Sequence, residues 1–202
     1  IKIYITRGLK KEIEETPKPG SPYFKETYTY IIGNNTLALE TAKNVAEQFG
    51  YSVYILNDQL TGHTEKEARK FIQYLISYKG KLPACILLGG ETTLKVTRKG
   101  KGGRNQHFVL CALNEIQKEK QNVKTNCITI LSAGTDGTDG PTDAAGAVFS
   151  HDPVSSGLID EQLIERYLTA FDSYNYFLKN GGLIKTGPTQ TNVMDIVIAL
   201  IH

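Results

Sequence analysis

The chain has 202 residues, 40% of them hydrophobic and 22% charged, the make-up of an ordinary soluble globular protein. A domain of this length buries about 70% of its unfolded surface and needs no disulfide or metal staple. The net charge of +2 lacks the lopsided basicity of a nucleic-acid binder. No apolar run approaches the ~20 residues of a membrane span.

Three scattered cysteines, Cys85, Cys111 and Cys127, form no C-x-x-C pair. They fit reduced thiols in a cytoplasmic protein better than a disulfide framework or a zinc site. The first residues, Ile1-Lys2-Ile3-Tyr4, show neither an initiating Met nor a signal-peptide pattern, which reads as a segment or processed product of a longer protein.

In chain order, residues 1–15 fit either a helix with Ile1, Ile5 and Leu9 on one face or a strand with Ile1, Ile3 and Ile5. Thr16-Pro17-Lys18-Pro19-Gly20-Ser21-Pro22 is a linker, because three prolines remove amide donors and force extended backbone. A first unit at 1–27 and an α/β domain at 28–202 follow from this break. Residues 29–32 read as a strand ended by Gly33. Asn34 or Asn35 then caps a helix with Leu37, Ala38, Ala42, Val45, Ala46 and Phe49 on its apolar face, stopped by Gly50.

Residues 52–56 form a second strand, and Thr64-Glu65-Lys66-Glu67 reads as a capping box opening a helix through Phe71 and Leu75 towards Tyr78. Residues 84–88 are a continuous apolar strand ending in Gly89-Gly90, followed by a short paired strand at 94–97. The glycine loop 100–103 leads into a helix from Arg104 to about Lys118. A buried strand at 127–131, helices at 159–168 and 173–178 with Gly181 as a stop, and a strand at 194–201 complete the pattern. Alternating strands and helices with apolar strands predict a layered α/β fold, with a mainly parallel or mixed sheet and helices on both faces.

Four polar, glycine-rich segments lie at predicted loops: Gly89-Gly90-Glu91-Thr92-Thr93, Gly102-Gly103-Arg104-Asn105-Gln106, the 134–143 loop, and Lys185-Thr186-Gly187-Pro188-Thr189. Ligands of open α/β sheets bind at the carboxyl ends of strands. Glycine lets backbone amides approach an anion, and helix N-termini add partial positive charge. Arg104 opens a helix, where its charge opposes the dipole. It is therefore either a guanidinium fork for a carboxylate or phosphate, or the partner of a neighbouring acid.

Asp136, Asp139 and Asp143 lie in one loop and suit Mg²⁺ ligation or orientation of an attacking hydroxyl, with Asx-turns as the plain alternative. The EF-hand spacing fails here. Glu91 is a metal ligand, a substrate contact or a loop brace. Lys185 and Thr186 suit a phosphate or a solvated turn, and His107, just inside a helix, is structural. There is no Walker loop, no G-x-S-x-G elbow and no G-x-G-x-x-G after the first strand, where Gly33-Asn34-Asn35 stands instead.

Taken in this order, the four segments resemble the C-terminal region of the glycerate 2-kinase family, including its MOFRL domain. The matching text includes Gly102-Gly103-Arg104-Asn105-Gln106 and Gly140-Pro141-Thr142-Asp143-Ala144-Ala145-Gly146, with the MOFRL-like region at about 82–202. The resemblance implies two α/β domains, of which the N-terminal one is absent from this chain and acts as a partner. This segment alone is then expected to be inactive. The implied reaction is ATP-dependent phosphorylation of D-glycerate to 2-phosphoglycerate with Mg²⁺ or another divalent metal, in the cytoplasm, with no nucleic-acid or membrane partner and with homo-oligomerisation open.

On this basis Arg104, Asp136 and Asp139 are the catalytic candidates, and Asp143 is the metal ligand. Gly89, Gly90, Glu91, Thr92, Asn105, Lys185, Thr186, Gly187 and Thr189 are the candidates for substrate or phosphate binding. An NAD(P)-dependent hydroxypyruvate reductase and a non-catalytic anion- or partner-binding module are the rival readings.

Overall fold

The structure, a computed structural model, describes residues 1–119, 127–152 and 160–202. It divides into two compact units, Ile1–Ile32 and Gly33–His202.

In the first unit the ambiguous opening is a helix, α1 (Lys2–Leu9), and a single 3-10 turn spans Pro22–Phe24. The turn starts as its sequence dictates: Ser21 accepts the Tyr23 amide, and Pro22 occupies the first position, where no donor is needed. The strand expected at 29–32 does not form. Tyr30, Ile31 and Ile32 are 80%, 81% and 95% exposed. An extended apolar run becomes a strand only when a neighbour takes its backbone hydrogen bonds, and none of the described residues does.

The described residues of the second unit form a six-stranded sheet in the order β1 (Ser52–Leu60), β2 (Ala84–Gly90), β6 (Asp195–Ile201), β3 (Ile128–Gly134), β4 (Gly146–His151), β5 (Leu183–Ile184). Only β1 and β2 pair in parallel; the other pairs are antiparallel. The sheet is therefore mixed, not mainly parallel. The reason lies in the last strand. β1, β2 and β3 run the same way, joined by the helical crossovers α3 (Thr64–Ser77) and α4 (Arg104–Lys118), as the strand–helix alternation implies. β6 then inserts between β2 and β3 in the opposite sense.

Helices cover both faces. Ile86 and Leu88 of β2 and Val197, Ala199 and Ile201 of β6 pack with Phe71, Ile72, Leu75, Phe108 and Ile116 of α3 and α4. The alternate residues, Cys85, Leu87, Ile196, Ile198 and Leu200, pack with Leu39, Ala42 and Ala46 of α2 (Asn35–Gln48). This is the period-two division of a strand covered on both sides. β2 is buried along its whole length, as its unbroken apolar text demands.

Several local expectations are corrected. α2 is capped by Asn34, which accepts the Leu37 amide, but only Leu39, Ala42 and Ala46 face the sheet; Leu37, Val45 and Phe49 remain exposed. The Thr64 capping box is not made. His63 is the cap residue, and the buried Thr64 hydroxyl bonds Thr92 at 3.0 Å. Residues 94–97 form no strand; just before them Thr93 makes an isolated parallel bridge with His63.

α5 spans Glu161–Ala170, with Ile159 of the expected helix outside the described residues, and α6 spans Ser173–Asn180. β4 and β5 carry no strong sequence signal and exist because β3 and then β4 offer them an edge.

Two glycines of similar sign in φ differ in what surrounds them. Gly50 (φ +85°) ends α2 with open space where a Cβ would stand. Gly90 (φ +139°) lies against the Leu60 backbone, which a Cβ would strike. Gly50→Ala is expected to cost about 1 kcal/mol of unfolding free energy in urea, and Gly90→Ala about 3 kcal/mol or more, because backbone cannot swing aside as a side chain can. Equal losses would show that the Leu60 contact is relieved elsewhere.

Candidate functional site

The site is built around the ends of three adjacent strands. Asp195, the first residue of β6, is in register with Gly90 at the end of β2 on one side and with Gly134 at the end of β3 on the other. Two of the glycine loops singled out in the sequence thus emerge on either side of one carboxylate.

Asp195 is 4% exposed. A carboxylate buried this far needs a paired charge, and Arg104 supplies it with a two-pronged fork: Nε to one oxygen at 2.6 Å and Nη2 to the other at 3.0 Å. Nη1 of Arg104 reaches Glu91 at 2.7 Å. The Asp195 bond, ahead of the desolvation that opposes it, holds the guanidinium pKa above its ordinary value. The Asn35 amide group fixes the backbone behind this pair, donating to the carbonyls of Val193 at 2.8 Å and Asp195 at 3.0 Å.

Arg104 is the first residue of α4, whose cap residue Gly103 has no side chain to receive the free amides. Asp139 does this from across the fold. Its two oxygens accept the backbone amides of Asn105 at 3.0 Å and Gln106 at 2.8 Å. The side chain of Gln106 returns to the Asp139 carbonyl at 3.3 Å and to Thr142 at 3.0 Å, and Ser132 of β3 donates to Asn105. Burial pushes the Asp139 carboxyl up to about 6, against the pull of the two amides. Expected as catalytic, Asp139 thus has both oxygens engaged in capping α4.

Asp136 sits at the turn of the same loop. One of its oxygens accepts the Thr138 amide at 2.9 Å, and the other makes no hydrogen bond among the described residues. The loop is stapled to the 186–193 segment. Thr189 donates its amide to the Asp136 carbonyl and its hydroxyl to the Thr135 carbonyl. The Thr135 hydroxyl donates to the Met194 carbonyl and accepts the Val193 amide. Gly187 (φ +67°) lies where Gly137 passes closest. Thr186 is exposed, and its hydroxyl donates to the Gly187 carbonyl of its own turn at 2.9 Å.

Asp143, expected as a metal ligand, has both oxygens engaged by protein groups. One oxygen accepts the Tyr174 hydroxyl at 2.7 Å and the other faces the Lys185 ammonium at 2.8 Å. These partners, Lys185 first, hold its carboxyl down at about 2. Among the described residues no three His, Cys, Asp or Glu side chains gather where a metal could be held. The three loop aspartates diverge in role because only Asp139 points inward.

Two further expectations change. Gly89 and Gly90 lie within β2 and make room for Asn35 and for the Leu60 backbone, respectively, rather than forming an open amide cradle. Thr92 is buried against Thr64. His107 is structural: it is buried, stacks on Phe171 at 5.4 Å and lies 3.3 Å from Glu65. Burial lowers its pKa.

The structure therefore brings together Arg104, Glu91, Asn105 and Asp139 at the head of α4, and Asp136 with Thr189 in the facing loops. Asp143 and Lys185 form a separate charged cluster with Tyr174. Asp195 was not among the candidates. Its signal was an acid directly opening the apolar run 196–201.

The chain is thus a mixed α/β domain whose glycine-ended strands meet a guanidinium at a helix N-terminus. Residues 84–195 match the MOFRL family, and the chain belongs to it. It is 36% identical over 211 residues to the glycerate 2-kinase of Pyrococcus horikoshii, covering 100% of this chain and 45% of that protein. To the D-glycerate 2-kinase of Thermotoga maritima it is 35% identical over 206 residues, covering 98% and 47%. The crystal structure of the Thermotoga maritima glycerate kinase superposes with a TM-score of 0.72 at 34% identity, covering 86% of this chain and 42% of that one. The chain thus spans about half the length of the curated relatives it matches.

Replacing Asp139 with Ala should cost about 2–4 kcal/mol of stability, because two amides at the head of α4 lose their acceptor. The pH dependence has a defined sign. With its folded pKa raised to about 6 from an ordinary 3.8, the folded state holds this proton more tightly than the unfolded chain. The contribution is fully present below about pH 4 and is lost as pH rises through about 6. In urea titrations across this window, wild-type stability should fall relative to Asp139→Asn, which cannot titrate. Parallel curves would show that Asp139 is not the group responsible.

Proposed function

We propose that the chain is the C-terminal part of a glycerate 2-kinase, which transfers the γ-phosphoryl group of ATP to the 2-hydroxyl of D-glycerate to give 2-phosphoglycerate and ADP. The observation that carries this reading is the Arg104 guanidinium, fixed by Asp195 at the head of α4 between two glycine-ended strands. The glycerate kinases among its relatives support the choice of substrate. In the proposed reaction the glycerate hydroxyl oxygen bonds to the γ-phosphorus as the bond from that phosphorus to the β–γ bridging oxygen breaks, and the hydroxyl proton passes to a base. Such a transfer needs positioning and charge stabilisation more than covalent help from the protein.

Three of the five guanidinium N–H groups of Arg104 are engaged by Asp195 and Glu91. The remaining two are offered to the glycerate carboxylate or the phosphoryl in flight, on a fork that Asp195 prevents from turning. Asp136, with one oxygen anchored and one unengaged, is the group assigned to orient the hydroxyl and accept its proton. Asp139 and Asn105 act as positioning residues, since they hold the turn from which Arg104 projects. Thr189 and Gly187 fix the facing loop.

A divalent metal, where one is used, would neutralise phosphate charge. Among the described residues no three His, Cys, Asp or Glu side chains gather to hold one, and no step is assigned through it. The part of the relatives that this chain does not match would supply the rest of the site as a partner domain. The free thiols Cys85, Cys111 and Cys127 accord with a reducing cytoplasm. No described helix is long and apolar enough to cross a membrane. The place of a dinucleotide fingerprint is taken by Gly33-Asn34-Asn35, where the Asn34 side chain caps α2, so a reductase finds no support there.

In the full-length protein, ADP should form from ATP when glycerate is present and not when it is omitted. Arg104→Ala should reduce kcat/KM for glycerate at least ~100-fold, the scale of losing one charge-stabilising donor. A near-normal rate would remove Arg104 from the site. Absorbance at the reduced-cofactor band should stay constant with NADH or NADPH and hydroxypyruvate; a steady fall would replace the kinase by the reductase.

A further inference from the structure

Beside Arg104 lies a second group of charges. The Lys101 ammonium stands 4.0 Å from the centroid of the Tyr174 ring, and the Lys185 ammonium 5.8 Å from the same centroid. The two cations are therefore within about 10 Å of one another, across one ring face or edge.

The arrangement is built in. Tyr174 is 6% exposed. Its hydroxyl donates to Asp143, whose other oxygen holds Lys185. The backbone of Lys101 is pinned at both ends: its amide donates to Asp172 at 2.9 Å, and its carbonyl accepts the Tyr174 amide at 2.9 Å. No described carboxylate pairs with the Lys101 ammonium.

Charge divides the two clusters. Arg104 with Asp195 and Glu91 sums to one negative charge, whereas Lys101 and Lys185 with Asp143 sum to one positive charge. The clusters are close in the chain and in the fold. Lys101 precedes Arg104 by the two glycines Gly102 and Gly103. The loop bearing Asp139, Gly140 and Asp143 is packed against those glycines. A polyphosphate with three or four charges is better met by two separated ammoniums than by a guanidinium already holding two carboxylates. Glycerate, with a single carboxylate, suits the directional N–H groups left on Arg104.

We propose that Lys101 and Lys185, set on the buried Tyr174 ring, form a two-lysine clamp for the polyphosphate chain of the nucleotide, with Asp143 as the residue that positions Lys185. This rests on the phosphotransfer reading above and assigns the nucleotide end of the site to the α4–α6 side of the sheet. Tyr174 carries the ring that both ammoniums approach, and Lys101 joins Lys185 as a binding residue.

The test uses the full-length protein, with ADP binding measured by titration calorimetry beside KM for ATP and for glycerate. Lys101→Ala and Lys185→Ala should each weaken ADP about tenfold, and together by about 100-fold, the scale of losing one and two charge-assisted contacts. KM for glycerate should move less than about twofold. Lys101→Arg with Lys185→Arg should restore most of the ADP affinity, and Tyr174→Phe, which keeps the ring, should lose less than either alanine variant.

Unchanged ADP binding in the double variant would overturn the clamp. So would a rise in KM for glycerate as large as that for ATP, since the lysines would then serve the acceptor. If the wild type binds ADP and the double variant does not, but glycerate is never phosphorylated, the clamp stands and the assignment of the acceptor falls.

Discussion

The second unit is organised by one ion pair, Arg104 with Asp195. A carboxylate at the first residue of a central strand is surrounded by sheet on both sides and cannot remain charged without a partner. Its partner comes from the head of a helix that crosses one face of the sheet, so a single fork-to-fork contact ties α4 to β6 and, through register, to the ends of β2 and β3. Arg104 itself is poorly placed for a helix, with its positive charge at the positive end of the dipole. Asp195 and the capping carboxylate of Asp139 answer that penalty. Together they leave a cation that is held firmly yet still partly open to solvent, the condition for receiving an anion without rearrangement.

The loops around this pair are packed objects. Glycine recurs in them mainly because something else needs the space. Gly89 leaves room for Asn35, Gly103 for Asp139, and Gly137 for the Gly187 carbonyl. Asn35 in turn holds the carbonyls on either side of Met194, and Thr135 and Thr189 sew the 134–140 turn to the chain entering β6. The backbone around the site is thereby fixed by hydrogen bonds from many directions, which limits the ordering that ligand binding would otherwise have to impose.

Two aspartates of one loop show how environment assigns roles. Asp139 faces inward, accepts amides and is pushed up to about 6 by burial; Asp143 faces outward, meets Lys185 and Tyr174, and is held down at about 2. Among the described residues only Asp136 retains an unengaged oxygen at the turn. Identical side chains within eight residues thus become a helix cap, the partner of a lysine and a tyrosine, and a turn residue with one oxygen unengaged.

Much of this was legible in the amino-acid text. The apolar run ending in Gly89-Gly90, the glycine turn before Arg104 and the apolar strand 195–201 are local patterns. Local patterns report secondary structure and the ends of strands because they depend on neighbouring side chains and on φ alone. The four polar glycine segments and Arg104 were likewise visible as loop and helix-start text, and the structure places Gly90, Gly134 and Arg104 around Asp195. Other features depended on partners far along the chain. The pairing of Arg104 with Asp195 spans 91 positions and that of Asp139 with Asn105 spans 34, and neither periodicity nor propensity carries such separations. The antiparallel insertion of β6, the failure of residues 29–32 to become a strand, and the placing of Lys101 and Lys185 on one tyrosine ring were likewise decided only when the chain closed. Hydrogen-bond partners, burial and the sign of each pKa shift are properties of what surrounds a residue in space.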